Sequence, residues 1–506
     1  MATQPQQALA QKTWRSNIEP SRLTLVKARK NWYTGLPPSL CPGFQNDIYS
    51  LTQPDFKTCT RQSVLDYFNN SWTLTESLFS SLNSDEAFYR PPYHGLRHPL
   101  IFYYVHPATL FINKLLLAGL IDHQINPYFE RLFETGVDEM SWDDMSKNDI
   151  EWPTIEDCHT YRQEAYIVTK SVIETHPDLS RPSIIDMSHP LWALFMGIEH
   201  ERIHLETSSV LIRELPLNLV SPPKSWPSLA PRSSTKSLDE HSIHNKLIEV
   251  SETQVNLGKQ KDFATFGWDN EYGCESLKVA GFQVSPCLVS NQDFLSFVNE
   301  NAYLDERYWS EEGNKWRNFT KSTHPHFWVQ DDKKTNQFKL RTCFELIDMP
   351  WNWACIVNFH EAKAYCAWKS SIDNRHYNLI NESQHKVLKT LSKTQTNYNF
   401  NLKYCSESAV DAHHEKVNDT DCIYDISGNV WQWSEDAFRP LPGFFPHPLY
   451  NDFSTPCFDG KHQMILGGSF ISTGDEASIY ARFHFRPHFF QHSGFRLVCN
   501  DVQIQS

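Results

Sequence analysis

The chain has 506 residues, enough for two to four domains with sizeable cores. Its formal net charge of -14 argues against nucleic acid or an anionic membrane surface as a partner. The sequence begins without an apolar stretch of the signal-peptide type, and we expect no later stretch to span a bilayer. Twelve cysteines are scattered without a Cys-x-x-Cys pair, which predicts reduced thiols in a cytoplasmic protein.

The first half of the chain has the periodicity of helices. Residues 1–55 are polar and predict an N-terminal extension that lies on the domains behind it. From Thr60, apolar residues recur at steps of three, four and seven, as on a helix with one buried face; they are Leu65, Phe68, Trp72, Phe79 and Leu82. Further helical patterns cover about 100–120, 154–176 and 190–215. Four such patterns predict an up-down helical bundle over residues 56–215, with a metal held between facing helices.

A pair of histidines stands out in the last of these helices. His200 and His204 are four residues apart, so they lie on one helix face and can bind one metal ion. With Glu201 as general base, the pair also matches the zinc-protease pattern His-Glu-x-x-His. Thr207 and Val210 stand where the extended metzincin pattern has glycine and histidine, so the protease interpretation is weak.

A metal site needs at least a third ligand. Three histidines in residues 93–107 are candidates, namely His94, His98 and His106. A buried core histidine bonded to a backbone carbonyl is an equally good interpretation of each. The residues alone leave the choice open.

The second half has a different character. Residues 216–249 are rich in proline and serine and predict a linker. Over residues 250–502, short apolar stretches alternate with turns and two helical patterns, which predicts an irregular α+β domain. Glycines inside its strand patterns indicate close backbone approach.

Three glycine-containing runs carry a resemblance to a known fold. Gly428–Trp433, Gly467–Ser469 and Gly494–Arg496 occur in the order and spacing of the formylglycine-generating-enzyme-like fold, a relative of C-type lectins. The cysteine pair of the copper-dependent members has no equivalent near residues 482–494. The resemblance therefore implies the fold but not the formylglycine-generating activity.

The first half resembles a DinB-type four-helix bundle, which gives an α+β fold class of bundle followed by α+β domain. This combination is the architecture of the iron-dependent sulfoxide synthases of thiol-histidine biosynthesis. That family binds Fe(2+) with one histidine on an early helix and two in a His-x-x-x-His pattern. Carried over, the iron ligands are His106, His200 and His204.

Within that family the chain is most similar to the ovothiol branch, whose members are 5-histidylcysteine sulfoxide synthases. The matching stretches are Arg97–His106, Glu134–Asp144, Ser472–Ala477 and Ala481–His492. The resemblance implies that L-cysteine, L-histidine and O2 are the small-molecule substrates. The ergothioneine and selenoneine branches share the architecture and supply the alternative. Many ovothiol-branch proteins continue into a methyltransferase domain, and since this sequence stops at Ser506 we expect a separate methyltransferase or a truncated form.

The resemblance also implies a tyrosine from the second domain as proton donor. Alignment around residues 442–460 places it at Tyr450, with Tyr424 as the fallback.

An amino-acid substrate also needs a cation for its carboxylate and an acid for its ammonium. The candidates are Arg482 or Arg486 for the former and Glu139 or Asp143 for the latter. Structural salt bridges explain these four residues about as well.

A second class of function stays open at this point. The chain could be a metal-free lectin-like binding protein in which the bundle has lost its ion. The intact set of His106, His200 and His204 argues against it.

Overall fold

The computed structural model describes residues 32–45, 47–93, 97–134, 150–180, 185–232, 246–330, 337–392, 398–416 and 422–500. The helices are α1 (Arg61–Phe79), α2 (Asp85–Tyr89), α3 (Leu100–Leu117), α4 (Pro127–Leu132), α5 (Ile155–Thr175), α6 (Trp192–Glu214), α7 (Asn291–Asn299), α8 (Glu311–Thr320), α9 (Phe359–Asp373) and α10 (Glu382–Leu391). The strands are β1 (Ile248–Val250), β2 (Thr253–Leu257), β3 (Glu275–Val279), β4 (Phe282–Val284), β5 (Trp328–Gln330), β6 (Phe338–Arg341), β7 (Leu346–Asp348), β8 (Tyr377–Leu379), β9 (His414–Lys416), β10 (Cys422–Tyr424), β11 (Trp431–Ala437), β12 (Gln463–Leu466), β13 (Phe483–Phe485), β14 (Ser493–Gly494) and β15 (Leu497–Cys499). The predicted α+β class, helical first and mixed second, is confirmed.

Four long helices build the first half. Helix α3 packs against α6 and α5, and α1 packs against the same two helices. Each helix presents its apolar face to the others, and the shared core contains buried aromatic side chains such as Phe68, Trp72 and Phe111. Thr60 is the N-cap of helix α1, and its side chain and that of Ser63 form a capping box.

Helix α3 corrects one expectation from the sequence. It has 18 residues and is long and apolar enough to cross a membrane by length and composition, although no such stretch was expected. The structure explains its apolar character differently, because 83% of its most apolar window is buried inside the protein. It is the central helix of the bundle core.

The described part of the N-terminal extension lies on the bundle. The Trp32 indole donates to the carbonyl of Glu76 at 2.8 Å, and the Thr34 amide donates to the Glu76 carboxylate at 2.9 Å. Further along, the side-chain amide of Gln53 donates to the carbonyl of Phe266 in the second half at 3.5 Å. The segment therefore ties both halves together.

The glycine-containing runs meet in the core of the second half. Its principal sheets have the orders β1-β4-β15-β8 and β13-β12-β11-β14, and β11 pairs with β14 in parallel so that Gln432 lies opposite Gly494. The Gly428 amide donates to the carbonyl of Gly467 at 2.8 Å. Gly467 and Gly468 have φ angles of +97° and +78°, a region that favours glycine.

Helix α6 joins the two halves through residues spaced by seven. Glu199, Glu206 and Arg213 lie on one face, since seven residues are close to two helical turns. Arg213 donates to both carboxylate oxygens of Glu407, at 3.2 and 2.9 Å, and Glu199 accepts from the Asp475 amide at 2.8 Å.

Glu206 lies at the centre of this interface. One carboxylate oxygen accepts from the Trp431 indole at 2.7 Å and from Ser469 at 2.9 Å, and the other accepts from Ser472 at 2.6 Å. Two of these donors belong to the glycine-containing runs. The runs therefore dock the second half onto the helix that carries the histidine pair.

Candidate metal centre

Three histidines from two helices meet in the bundle. His106 lies on α3, and His200 and His204 lie on α6. One nitrogen from each ring can be chosen so that all lie within 4.8 Å of one another, and the Nε2 atoms of His200 and His204 are 3.1 Å apart. Two nitrogens that bind one ion at about 2.1 Å and at a right angle lie about 3.0 Å apart, so this spacing suits a shared ion.

The hydrogen bonds of the rings favour metal binding. His106 Nδ1 lies 2.5 Å from the carbonyl oxygen of Phe133, which only accepts, so Nδ1 carries the hydrogen and Nε2 keeps its lone pair. Among the described residues, the buried Nδ1 atoms of His200 and His204 have no hydrogen-bond partner. One ring is therefore oriented and two have unused nitrogens.

Burial keeps these rings neutral. It lowers the pKa of His106 from 6.5 to about 4, and it lowers the pKa values of His200 and His204 well below 6.5. The positive charge of Arg97 also lowers the pKa of His204. A neutral imidazole is the form that binds a metal. The residues thus fit a first-row divalent ion such as iron(II), which three imidazoles leave with open positions.

The structure separates His106 from the other candidates for the third ligand. His98 packs its ring against Phe102 and Trp152, with centroids 4.6 and 5.3 Å apart, and it does not belong to the histidine cluster. His94 lies outside the described residues.

Glu201 does not have the position that a protease base requires. Its carboxylate is buried and lies 3.1 Å from Nη2 of Arg162, and Nε of the same arginine lies 3.5 Å from the Glu76 carboxylate. This ion pair is inside the bundle, on a different face of α6 from the histidines. The zinc-protease interpretation therefore has no support in the geometry.

The cluster opens into a cavity of about 160 Å³ between the two halves. The bundle and the second half both line it; the residues are Arg97, Phe102, Tyr103, His106, Glu134, His200, Ile203, His204, Thr207, Tyr450, Asp452, Phe453, Pro456, Cys457, Phe483, His484 and Phe485. A metal in the cluster would face a space shared by both halves of the chain.

Tyr450 is on the wall of this cavity. Its ring centroid is 6.3 Å from that of His200, and the ammonium of Lys114 lies 4.0 Å from the tyrosine ring centroid. This cation–π contact fixes the ring. Tyr424 ends β10, with its ring 5.6 Å from that of His414, and it is not among the cavity residues.

The two arginines predicted to bind substrate do not line the cavity. Nε and both Nη groups of Arg482 donate to Glu382 and to the carbonyls of Asn270 and Arg439. The assignment of Arg482 to a substrate carboxylate stays a prediction that these contacts do not support. Arg486 pairs with Asp459 at 3.2 Å and does not line the cavity either. Both arginines serve long-range ion pairs that the sequence does not reveal.

The two acidic candidates cannot be placed. Glu139 and Asp143 lie outside the described residues, so their assignment to a substrate ammonium remains a prediction.

Arg97 is a cavity residue that the sequence analysis did not single out. It is buried, its guanidinium lies over the rings of Phe485 and Phe489 at 5.6 and 4.8 Å, and its buried Nη2 has no hydrogen-bond partner among the described residues. An unsatisfied guanidinium in a cavity suits a carboxylate ligand. The available signal was its place at the start of the matching stretch Arg97–His106.

Comparison with known families matches the second half of the chain. Residues 240–501 match the model of the "Sulfatase-modifying factor enzyme 1-like domain". A solved structure of PvdO from Pseudomonas aeruginosa is similar at 14% identity, over 50% of this chain and 94% of that one. The TM-score between the two structures is 0.32.

Curated relatives match more of the chain. Ergothioneine biosynthesis protein 1 of Schizosaccharomyces pombe is 22% identical over 472 residues, covering 84% of this chain and 54% of that protein. Hercynine oxygenase of Mycobacterium tuberculosis is 25% identical over 219 residues, covering 40% of this chain and 48% of that protein. The chain spans about half the length of the curated relatives it matches.

Proposed function

The chain belongs to the sulfatase-modifying factor enzyme 1-like domain family, and from this premise we propose that it is an iron(II)-dependent sulfoxide synthase. It joins the sulfur of a thiol to an imidazole ring. One atom of O2 becomes the sulfoxide oxygen, and the other leaves as water with the thiol and ring hydrogens. The observation that carries the proposal is the cluster of His106, His200 and His204 on a cavity shared with the second half.

The three histidines would hold the iron. When bound, iron(II) supplies Lewis acidity and open positions where a thiolate, an imidazole and dioxygen can meet. The carbonyl of Phe133 orients His106 for this role, as outer-shell partners of ligating histidines do. Because all three ligands are neutral, the site keeps a net positive charge, which favours a thiolate over a thiol.

Tyr450 is proposed as the proton donor. An ordinary tyrosine has a pKa of about 10, so its hydroxyl is a neutral donor near pH 7. Lys114, beneath the ring at 4.0 Å, keeps the phenol on the cavity wall beside His200. The hydroxyl can give its proton where oxygen chemistry needs one without adding charge to the ligand cluster.

Arg97 is proposed to bind a substrate carboxylate in place of Arg482 and Arg486. Its planar guanidinium is fixed by two phenylalanine rings and has an unused donor in the cavity. A carboxylate there would satisfy that donor and neutralise the positive charge of Arg97 that acts on His204.

Two imidazole substrates are candidates. The matching stretches of the ovothiol branch favour L-histidine, with L-cysteine as sulfur donor and 5-histidylcysteine sulfoxide as product. The printed names of the relatives favour the ergothioneine type, in which hercynine, the trimethylammonium betaine of histidine, replaces histidine. Histidine and hercynine differ at the α-nitrogen. The ammonium of histidine donates hydrogen bonds to carboxylates, and the trimethylammonium of hercynine does not.

One experiment tests the class and separates the substrates. The protein is loaded with iron(II) without oxygen, and oxygen is then added with cysteine and either histidine or hercynine. We expect a product whose mass is the sum of the two substrates plus one oxygen and minus two hydrogens. The preferred imidazole shows which branch applies. Iron-loaded protein that consumes no oxygen and forms no such product with either substrate would contradict the proposal.

A lectin-like binding protein without a metal makes the opposite prediction. Protein purified without added metal should then contain no first-row metal at the cluster, and iron(II) should not bind in stoichiometric amount. We expect about one iron per chain at the cluster after loading.

A further inference from the structure

A second group of metal-binding side chains lies on the wall of the same cavity. Cys457, His462 and His484 each offer one ligand atom, and these atoms lie within 4.8 Å of one another. Cys457 and His484 are among the cavity residues. All three belong to the second half, so the group is separate from the three histidines of the bundle.

The strand register places the two histidines on one side of a sheet. Strands β12 and β13 pair so that Met464 lies opposite His484. His462 precedes Met464 by two residues, and side chains two apart point to the same face of a strand. His462 and His484 are therefore diagonal neighbours. The hydrogen bond from the Phe438 amide to the His462 carbonyl, at 2.8 Å, fixes the backbone at this point.

A carboxylate orients His462. Its Nδ1 lies 3.0 Å from Oδ1 of Asp459, and the other oxygen of Asp459 lies 3.2 Å from Nη2 of Arg486. An ionised carboxylate only accepts, so Nδ1 carries the hydrogen and Nε2 is the acceptor nitrogen. Carboxylate, histidine and metal in this order is the usual outer-shell arrangement of zinc sites.

His484 has an unused nitrogen. Its buried Nδ1 has no hydrogen-bond partner among the described residues, and its ring stacks on Phe438 with centroids 4.1 Å apart. Packing against Phe438 therefore fixes the ring, and its Nδ1 is available to bind an ion as far as the described residues show.

We propose that Cys457, His462 and His484 form a binding site for a zinc-like divalent cation, with its open side toward the cavity. One thiolate and two imidazoles are a donor set that zinc prefers, and three protein ligands leave a fourth position free. The group of His106, His200 and His204 offers three imidazoles and no sulfur. The thiolate of Cys457 makes the second group the softer set of ligands. The proposal stands on the geometry of this group and does not require the sulfoxide synthase activity.

Cobalt(II) tests the site without any turnover. Cobalt bound to a thiolate shows an intense charge-transfer band in the near ultraviolet, which cobalt bound to imidazoles lacks. We expect the wild-type chain, titrated with cobalt(II) in the absence of thiol substrates, to develop this band. The band should saturate at one ion per chain, and zinc(II) should abolish it by competition. A wild-type titration without the band would overturn the proposal regardless of how any variant folds.

Variants assign the band to its ligands. Cys457→Ser and His484→Ala should each abolish or strongly weaken it, whereas His204→Ala, which disrupts the bundle cluster, should leave it in place. Cys366→Ser is the matched control, because Cys366 is also buried but lies in α9 away from the group. The same band in Cys457→Ser as in the wild type, with loss in Cys366→Ser, would show that the sulfur ligand was wrongly chosen.

Discussion

Two faces of helix α6 differ in whether their buried polar atoms have hydrogen-bond partners. On one face, every carboxylate oxygen and guanidinium nitrogen of Glu199, Glu206 and Arg213 has a partner. All of these partners lie in the second half except Tyr67 of α1, whose hydroxyl donates to Glu199. On the other, His200 and His204 keep buried Nδ1 atoms without a partner among the described residues. Buried polar groups are normally satisfied. The satisfied face is therefore structural. The unsatisfied face indicates a metal ion, because the Nε2 atoms of His200 and His204 lie only 3.1 Å apart within the three-histidine cluster.

The largest expected effect is on the unsatisfied face. His200→Ala removes one of three proposed ligands, and we expect bound iron to fall from about one ion per chain to background, with loss of turnover. His98→Ala is the matched control, because His98 is also buried but packs against aromatic rings instead of joining the cluster. Measured iron per chain should be unchanged in the control. Loss of iron in His98→Ala and full iron in His200→Ala would reverse the assignment.

The next largest effect is on the satisfied face. Arg213→Met keeps much of the side-chain stem but leaves the buried Glu407 carboxylate without its partner, which costs about 3–5 kcal/mol. Arg90→Met breaks an exposed pair with Glu86 and should cost less than about 1 kcal/mol. Urea denaturation of both variants measures the difference. Equal losses would mean that the interface of α6 contributes no more than a surface contact.

Glu206 offers a test of this face by pH. Burial raises the pKa of Glu206 from 4.5 to about 7, so the folded state binds the proton more tightly than the unfolded state. The stability that this provides is present below pH 4.5 and is lost as the pH rises through 7. Above that range the carboxylate costs about 3 kcal/mol relative to a neutral group.

Glu206→Gln should therefore equal the wild type in stability at the acidic end of this range and exceed it at the alkaline end. The glutamine keeps an oxygen for the Trp431 indole, and Ser472 can accept from its amide. Urea midpoints across the pH range measure the effect. A difference between variant and wild type that is the same at all pH values would contradict the raised pKa.

The smallest expected effect is at Tyr450, a residue of the second half that lies on the cavity wall near His200. Tyr450→Phe keeps the ring above Lys114 and removes only the hydroxyl. The variant should fold and bind iron, but without the proton more of the oxygen should oxidise the thiol alone to cysteine sulfinic acid. The measurement is the ratio of sulfinic acid to carbon–sulfur product per oxygen consumed. Tyr424→Phe is the control. A product ratio that changes in Tyr424→Phe but not in Tyr450→Phe would assign the role of proton donor to Tyr424.

The sequence predicted those features that depend only on residues close together in the chain. The periodicity of apolar residues gave the four bundle helices, and the spacing of His200 and His204 gave one helix face, because both depend on 3.6 residues per turn. The choice of His106 over His98 came from the family resemblance. His98 lies just before α3 and His106 lies within it, and only the packing of α3 on α6 shows which ring faces the pair.

Contacts between residues far apart in the chain could not be predicted from the sequence. Arg482 lies in a matching stretch, yet Glu382, 100 residues earlier, takes its guanidinium. Arg97 was overlooked because nothing in its neighbours shows that Phe485 and Phe489 will stack on it. The group of Cys457, His462 and His484 has no regular spacing, since the pairing of β12 with β13 brings its histidines together.

X-ray absorption of the chain loaded anaerobically with one equivalent of iron(II) tests the central claim most directly. The account predicts a first shell of nitrogen and oxygen atoms with the multiple scattering of three imidazole rings. One ring should be lost in each of His106→Ala, His200→Ala and His204→Ala where iron is still held, and the spectrum should be unchanged in Cys457→Ser. A sulfur scatterer in the wild-type spectrum, lost in Cys457→Ser, would contradict it and would move the iron to the second group.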